Sequence, residues 1–295
     1  MNTKLIIVEG IPGSGKSATA GFIAEHLQSQ GVQCELFCEG NFDHPADCES
    51  MACFTREQFD ELIATYIRYE AILRSTVLAH GENRFLSYGK LAVESDLPEE
   101  LITAIRKFDV YELPSDKYCD VILQRWGAFS AYQAERNTVV IFECCYLQNA
   151  LTHLFIRNGE DKEYISHHIL NLSRTIERLH PILVYLNPLD VNETINKVSK
   201  ERSSEWLAFV VWYHTHQGYG RTRGLNGMDG YVEVLATRRS LELDILANLP
   251  TNVLQIDNPQ SDWAASHRKI KEHIQAVLPT AHRAKPAGCA SRASR

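Results

Sequence analysis

The sequence predicts an α/β protein: one parallel sheet with helices packed on both of its faces. Two observations carry that prediction. Short, unbroken apolar runs recur at residues 5–8 (Leu-Ile-Ile-Val), 139–142 (Val-Val-Ile-Phe) and 182–186 (Ile-Leu-Val-Tyr-Leu). A strand can be apolar throughout only when both its faces are covered. Between the runs lie longer stretches with apolar residues at helical spacing, and this alternation is what winds a parallel sheet.

Taken in order, residues 5–8 form the first strand, followed by a glycine-rich turn and a helix over 18–30, with Phe22, Ile23 and Leu27 on one face and Gly31 as its stop. Residues 33–39 return to strand character. Helices are expected over about 55–80, 98–108 and 115–136, then the strand 139–142. Helices at 147–156 and 163–179 precede the strand 182–186, and helices at 190–215 and 231–248 precede a last strand at 253–256. A helix over 262–277 closes the pattern. The reading is one domain over 1–278, with a helical insertion at about 40–115 and a lid at about 197–230. The segment 279–295 is small, basic and poor in apolar residues, and is expected to be a disordered tail.

Composition narrows the function classes. At 44% hydrophobic and 23% charged, the 295 residues fit a globular chain and exclude a collagen-like or wholly disordered one. A net charge of −7 argues against a bulk basic surface, so no nucleic-acid partner is expected. No apolar run approaches the ~18 residues of a membrane span, so no membrane partner is expected and the location is read as cytoplasmic. The eight cysteines contain no C-x-x-C pair and read as reduced, scattered, mostly buried thiols. His167, His168, His214 and His216 read as structural or surface residues, not metal ligands.

The chemistry is concentrated near the start. Gly10, Ile11, Pro12, Gly13, Ser14, Gly15, Lys16 and Ser17 satisfy G-x-x-x-x-G-K-[ST] at every fixed position, directly after a buried strand and at the opening of a helix. Such a P-loop curls its amides toward phosphate oxygens, and the helix N-terminus beginning near Ala18 adds partial positive charge. Lys16 would reach the β- and γ-phosphates of ATP, and the Ser17 hydroxyl would hold Mg²⁺. Residues 13–18 also satisfy the dinucleotide pattern G-x-G-x-x-[GA], but that pattern starts at the strand end and leaves Lys16-Ser17 unexplained. The only Asn-Lys pair, Asn196-Lys197, lacks the Asp of a guanine-reading motif.

Three further segments fit phosphoryl transfer. Glu143 follows four apolar residues, where a Walker-B-type acid faces Mg²⁺. Glu39 ends the second strand, at the same carboxyl edge of the sheet, as a candidate base or as a simple turn cap. Lys197-x-x-Lys200-x-Arg202-x-x-Glu205 places basic residues at one helix end, where Lys200 and Arg202 could close on a transferring phosphoryl group. Asp43, His44, Asp47 and Arg125 are acceptor-site candidates. Arg221 and Arg223, in a stretch with five glycines between 218 and 230, are candidates for a second closing element or lie on a flexible connector.

On these residues the sequence resembles the deoxynucleoside kinase and thymidylate kinase group of P-loop phosphotransferases. Val184-Tyr185-Leu186-Asn187-Pro188 stands where that group has a "YLDVP"-like strand end, and the series from Lys197 to Glu205 stands where it has the arginine-rich lid. Glu39 and Glu143 stand at the acids that end its second and third strands, and Gln124-Arg125 lies in the helix where such kinases bind the acceptor. The resemblance implies a three-layer P-loop fold with a five-stranded parallel sheet, nucleoside-kinase-like, over roughly residues 3–278. It implies an ATP- and Mg²⁺-dependent kinase for a small-molecule acceptor, nucleoside- or nucleotide-like, with a homodimer as a candidate assembly. Glu143 is followed by Cys144-Cys145 where the group has arginine, and lysines replace some lid arginines. An ATPase or nucleotide-sensing module acting through a protein partner is therefore the alternative.

Overall fold

The computed structural model describes residues 3–277; the tail expected at 279–295 lies outside the described residues. Five strands form one all-parallel sheet: β1 (Leu5–Glu9), β2 (Cys34–Phe37), β6 (Val139–Glu143), β7 (Ile182–Asn187) and β8 (Asn252–Asp257). Three shorter strands, β3 (Met51–Phe54), β4 (Leu78–His80) and β5 (Asn83–Ser87), form a separate antiparallel sheet. The parallel sheet has the order β2-β6-β1-β7-β8, with the glycine loop leaving its central strand. This is the predicted fold class: a three-layer α/β P-loop fold.

The layering follows from strand alternation. Ile6 and Val8 of β1, Val139 and Ile141 of β6, and Ile182, Val184 and Leu186 of β7 all face one side. There they meet Ala20, Ile23 and Leu27 of the helix Lys16–Ser29, and Ile270 and Ile274 of the helix Trp263–Val277. Leu5, Ile7, Val140, Phe142, Leu183 and Tyr185 face the other side, against Trp126 and Phe129 of the helix Ser115–Ala134 and Ile165, Ile169 and Leu172 of the helix Lys162–Ile176. Both faces are covered, which is why these strands carry no polar alternation.

Three stretches depart from expectation. The insertion at 40–115 is helical only in part: β3, β5 and β4 form a sheet whose own core joins Phe54 and Leu86 to Phe59, Leu62, Leu101 and Ile105 of the flanking helices. Within it the helix expected over 55–80 is two helices, Arg56–Thr65 and Glu70–Thr76, and then β4. The first of these is set by a capping box between Thr55 and Gln58. The helix expected at 147–156 begins as Gln148–Leu151 and widens into a π-helix, Thr152–Asn158, a rare form. Here His153 is stacked on Tyr118 with ring centroids 3.9 Å apart.

The helix expected over 190–215 is broken. Val191–Glu201 ends at Arg202, whose backbone is extended, and Ser203 caps a new helix, Ser204–His216, by accepting the Trp206 N–H at 3.2 Å. The glycine-rich stretch after it is also ordered, as a short helix Gly218–Thr222 followed by the helix Gly227–Leu246. Gly218 lies directly against the Ile156 and Arg157 carbonyls, which a side chain there would strike. No helix among the described residues is long and apolar enough to cross a membrane.

Candidate functional site

The loop at residues 10–17 links β1 to the helix Lys16–Ser29. Gly13 and Gly15 have φ of +80° and +97°, where a side chain is strained. They are also crowded: a Cβ on Gly13 would sit 2.1 Å from Val198 Cγ2, and one on Gly15 would sit 2.3 Å from the Trp263 ring. Gly15 is the helix N-cap and supplies no side-chain cap, and the first turn holds no acid. The opening amides of this helix are therefore available to an anion, reinforced by the helix dipole. The Lys16 ammonium is buried and donates weakly to the Ile11 carbonyl at 3.4 Å. Ser14 is buried, and its hydroxyl has no partner.

Ser17 donates its hydroxyl hydrogen bond to Oε1 of Glu143, the last residue of β6. The parallel register sets Val8 beside Glu143, which brings the strand-end acid level with the start of the loop. Cys38, just past β2, lies against the same carboxylate. Burial raises its thiol pKa, and the charge of Glu143 raises it further.

The next residues, Cys144 and Cys145, both have positive φ (55° and 72°). Non-glycine residues in that region cost about 1–3 kcal/mol each and persist only where the surroundings hold them. The chain after them runs onto Glu9, the last residue of β1, a carboxylate with 0% exposure. Its Oε1 accepts the N–H groups of Tyr146 and Leu147 at 2.8 and 2.9 Å, and its Oε2 accepts that of Gln148 at 3.2 Å. Burial pushes the Glu9 pKa up to about 7, against the lowering effect of the amides. Behind it Arg238 donates to Glu242 Oε1 at 2.7 Å and Tyr185 donates to Oε2 at 2.7 Å, all three being buried.

Glu39 lies two residues past the end of β2, in a turn, and is exposed. Its Oε1 accepts from the Gln148 side-chain amide at 2.8 Å. The buried Gln148 is thus tied through its backbone to Glu9 and through its side chain to Glu39, and its own Oε1 has no partner. Glu39, Glu143 and the loop therefore share one edge of the sheet, as the spacing predicts.

The acceptor candidates fall out differently. His44 belongs to the core wall: Nδ1 accepts the Asp47 N–H at 2.8 Å, Nε2 faces the Cys145 sulfur at 3.7 Å, and the ring lies on Phe142. Burial lowers its pKa to about 4, so it stays neutral and has no free nitrogen to present. Asp43 points outward and pairs with Lys90. Asp47 is buried and accepts from Tyr111 Oη at 2.7 Å and Asn149 Nδ2 at 2.9 Å. Arg125 donates to the His44 carbonyl at 3.2 Å, so its guanidinium supports the turn at 44–47.

The basic series does not share one helix end. Lys197 and Lys200 end one helix, Arg202 is its cap, and Glu205 begins the next. Lys197 donates to Gln260 Oε1 at 3.0 Å, and the Gln260 amide in turn donates to the Gly13 carbonyl, so Lys197 reaches the loop through one intermediary. Arg202 lies over the Trp206 ring at 5.6 Å; among the described residues neither it nor Lys200 bonds to the loop. Arg221 and Arg223 are exposed, the latter over Tyr219 at 5.0 Å.

Four residues at this site were not foreseen: Glu9, Gln148, Gln260 and Trp263. Among the described residues no group of three or more His, Cys, Asp or Glu side chains is arranged to hold a metal ion.

No protein-family model matches the sequence, and no curated protein matches it. One solved structure similar to this chain is that of deoxyadenosine kinase from M. mycoides with bound dCTP, at 14% identity and a TM-score of 0.40, over 92% of this chain and 100% of that chain.

Proposed function

We propose that the protein is an ATP-dependent phosphotransferase that moves the γ-phosphate to a hydroxyl of a small, nucleoside-like acceptor. The observation that carries this reading is the contact between Ser17 and Glu143 at the mouth of a loop whose helix N-terminus is left uncapped.

The Ser17 hydroxyl and the Glu143 carboxylate are hard oxygen donors, side by side, and they suit Mg²⁺. When bound there, Mg²⁺ would offset charge on the β- and γ-phosphates. The amides of Gly13, Gly15, Lys16 and Ser17 and the Lys16 ammonium receive the phosphate oxygens. Glu39 accepts the acceptor's hydroxyl proton as that oxygen bonds to the γ-phosphorus and the bond to the β-phosphate oxygen breaks, leaving ADP. Gln148 keeps Glu39 directed at the edge. Lys200 lies on the helix that packs on the loop through Val198, and the break at Arg202 and Ser203 gives a hinge on which the following helix could close and exclude water.

The acceptor side is rich in carboxylates. Besides Glu39 there is Glu49, whose pKa burial raises, with Asp47 and Glu39 adding to the shift. Arg125 gives one Nη to the His44 and Asp47 carbonyls, while its buried Nε has no partner. The carboxylates favour a hydroxylated acceptor without its own phosphate.

A second reading, an ATPase acting through a protein partner, is favoured by one observation. The helix Ser204–His216 is apolar on most sides, yet Phe209 and Trp212 are 58% and 51% exposed. ATP consumption across a panel of hydroxylated acceptors separates the two readings: a sharp rise with one acceptor supports the kinase, and turnover that changes only with a protein supports the alternative.

A further inference from the structure

We propose that Glu9 is a positioning residue for the Mg²⁺ site: its carboxylate holds the left-handed turn at Cys144 and Cys145, and that turn sets Glu143 against Ser17. The inference rests on the phosphotransferase reading above.

Glu143 closes β6, and the chain must then turn away from the sheet at once. It does so through two consecutive residues with positive φ, neither of them glycine. Nothing in the local sequence favours that conformation; cysteine lacks the short polar side chain by which Asn or Asp supports it. The turn is pinned from outside, by the Cys144 N–H donating to the Val8 carbonyl at 2.8 Å and by three successive amides converging on the Glu9 carboxylate. Val8 and Glu9 are the last two residues before the phosphate loop, so one short stretch of β1 aims the loop and holds the acid facing it. The same three amides begin the helix Gln148–Leu151, and Gln148 carries the hold onward to Glu39. A carboxylate is the side chain suited to this place, because it alone offers two acceptor oxygens to three donors.

Glu9→Gln tests this at nearly constant volume. The glutamine oxygen can still accept from residues 146 and 147, but its amide would face the Gln148 N–H, donor against donor. The probe is ATP, bound with and without Mg²⁺. Wild-type protein should bind ATP more tightly with Mg²⁺ than without it. In Glu9→Gln the Mg²⁺-free affinity should stay near wild type, while the Mg²⁺-dependent gain falls by about tenfold, the value of one charge-assisted hydrogen bond. Amide exchange at residues 144–148 should quicken in the ligand-free variant. A generally weakened fold would lower both affinities together. Should Glu9→Gln not fold, the double variant Glu9→Gln/Cys144→Gly supplies the reading: glycine adopts positive φ without support, so part of the gain should return. A full Mg²⁺-dependent gain in Glu9→Gln overturns the proposal, as does a gain equally absent from single and double variants. If wild-type protein binds no ATP under either condition, it is the phosphotransferase reading that fails.

Discussion

The Ser17 hydroxyl donates to the Glu143 carboxylate across 126 positions of sequence, and this one bond ties the phosphate loop to the neighbouring strand end. It makes the two residues a pair of oxygen donors before any ligand arrives. Glu143→Gln should therefore weaken Mg²⁺-dependent ATP binding by roughly 10–100-fold, the range seen when a metal site loses a supporting carboxylate. Ser17→Ala should act in the same direction. Titrating Mg²⁺ at fixed ATP measures both effects.

Glycine is required at position 13 for two separable reasons. Gly13→Ala meets Val198 Cγ2 and also strains a φ of +80°. Pairing it with Val198→Ala should remove the clash and leave the backbone cost, about 1–2 kcal/mol. Chemical denaturation of the single and double variants checks this. Full recovery in the double variant would mean that contact alone matters.

The buried trio of Tyr185, Glu242 and Arg238 should behave as a unit. Arg238→Leu strands a buried carboxylate and should cost about 3–5 kcal/mol, whereas Arg238→Leu combined with Glu242→Leu should regain part of that loss. The double-mutant cycle gives the coupling directly.

Acid should destabilise the fold through its histidines. His44, His153, His168 and His214 are buried, and burial lowers each pKa from 6.5 to about 4. Below pH 6.5 the unfolded chain binds protons that the folded chain refuses, so stability falls as pH drops from about 6.5 toward 4. Each histidine contributes up to about 1.4 kcal/mol per pH unit in that window. Glu9 acts oppositely: with its pKa raised to about 7, its contribution is fully present below about 4.5 and is lost as pH rises through 7. Denaturation midpoints from pH 4 to 8 should show the histidine slope. For His168, neither of whose nitrogens has a partner, His168→Phe should flatten it by one proton.

The phosphate loop was legible because all of its determinants are local: fixed spacing, a buried strand before it and a helix after it. Glu143 was legible for a related reason, an acid ending an apolar run. Glu9 was not. It reads as the polar end of a strand, and its role depends on amides about 137 positions away. The break at Arg202 and Ser203 did leave a signal, a serine at the N-cap of a second helix, but the regular basic spacing ran across it and hid it. The hairpin of β4 and β5 left one as well, Gly81-Glu82 between two strands of 3 and 5 residues. Strands so short are masked by the helical spacing before them, and they are stabilised by the long-range pairing of β3 with β5 and by the core they share with the flanking helices.

In the proposed reaction this loop delivers a phosphoryl group to a hydroxyl accepted at the Glu39 edge. The most direct measurement is transfer of labelled γ-phosphate from ATP to hydroxylated acceptors, with and without their own phosphate, in wild-type protein, Lys16→Ala and Glu39→Gln. Label should appear in one unphosphorylated acceptor with wild-type protein and in none with Lys16→Ala. Glu39→Gln should lower turnover by about 10²–10⁴-fold at nearly unchanged ATP affinity. Label released only as free phosphate, at a rate indifferent to every acceptor, would contradict it.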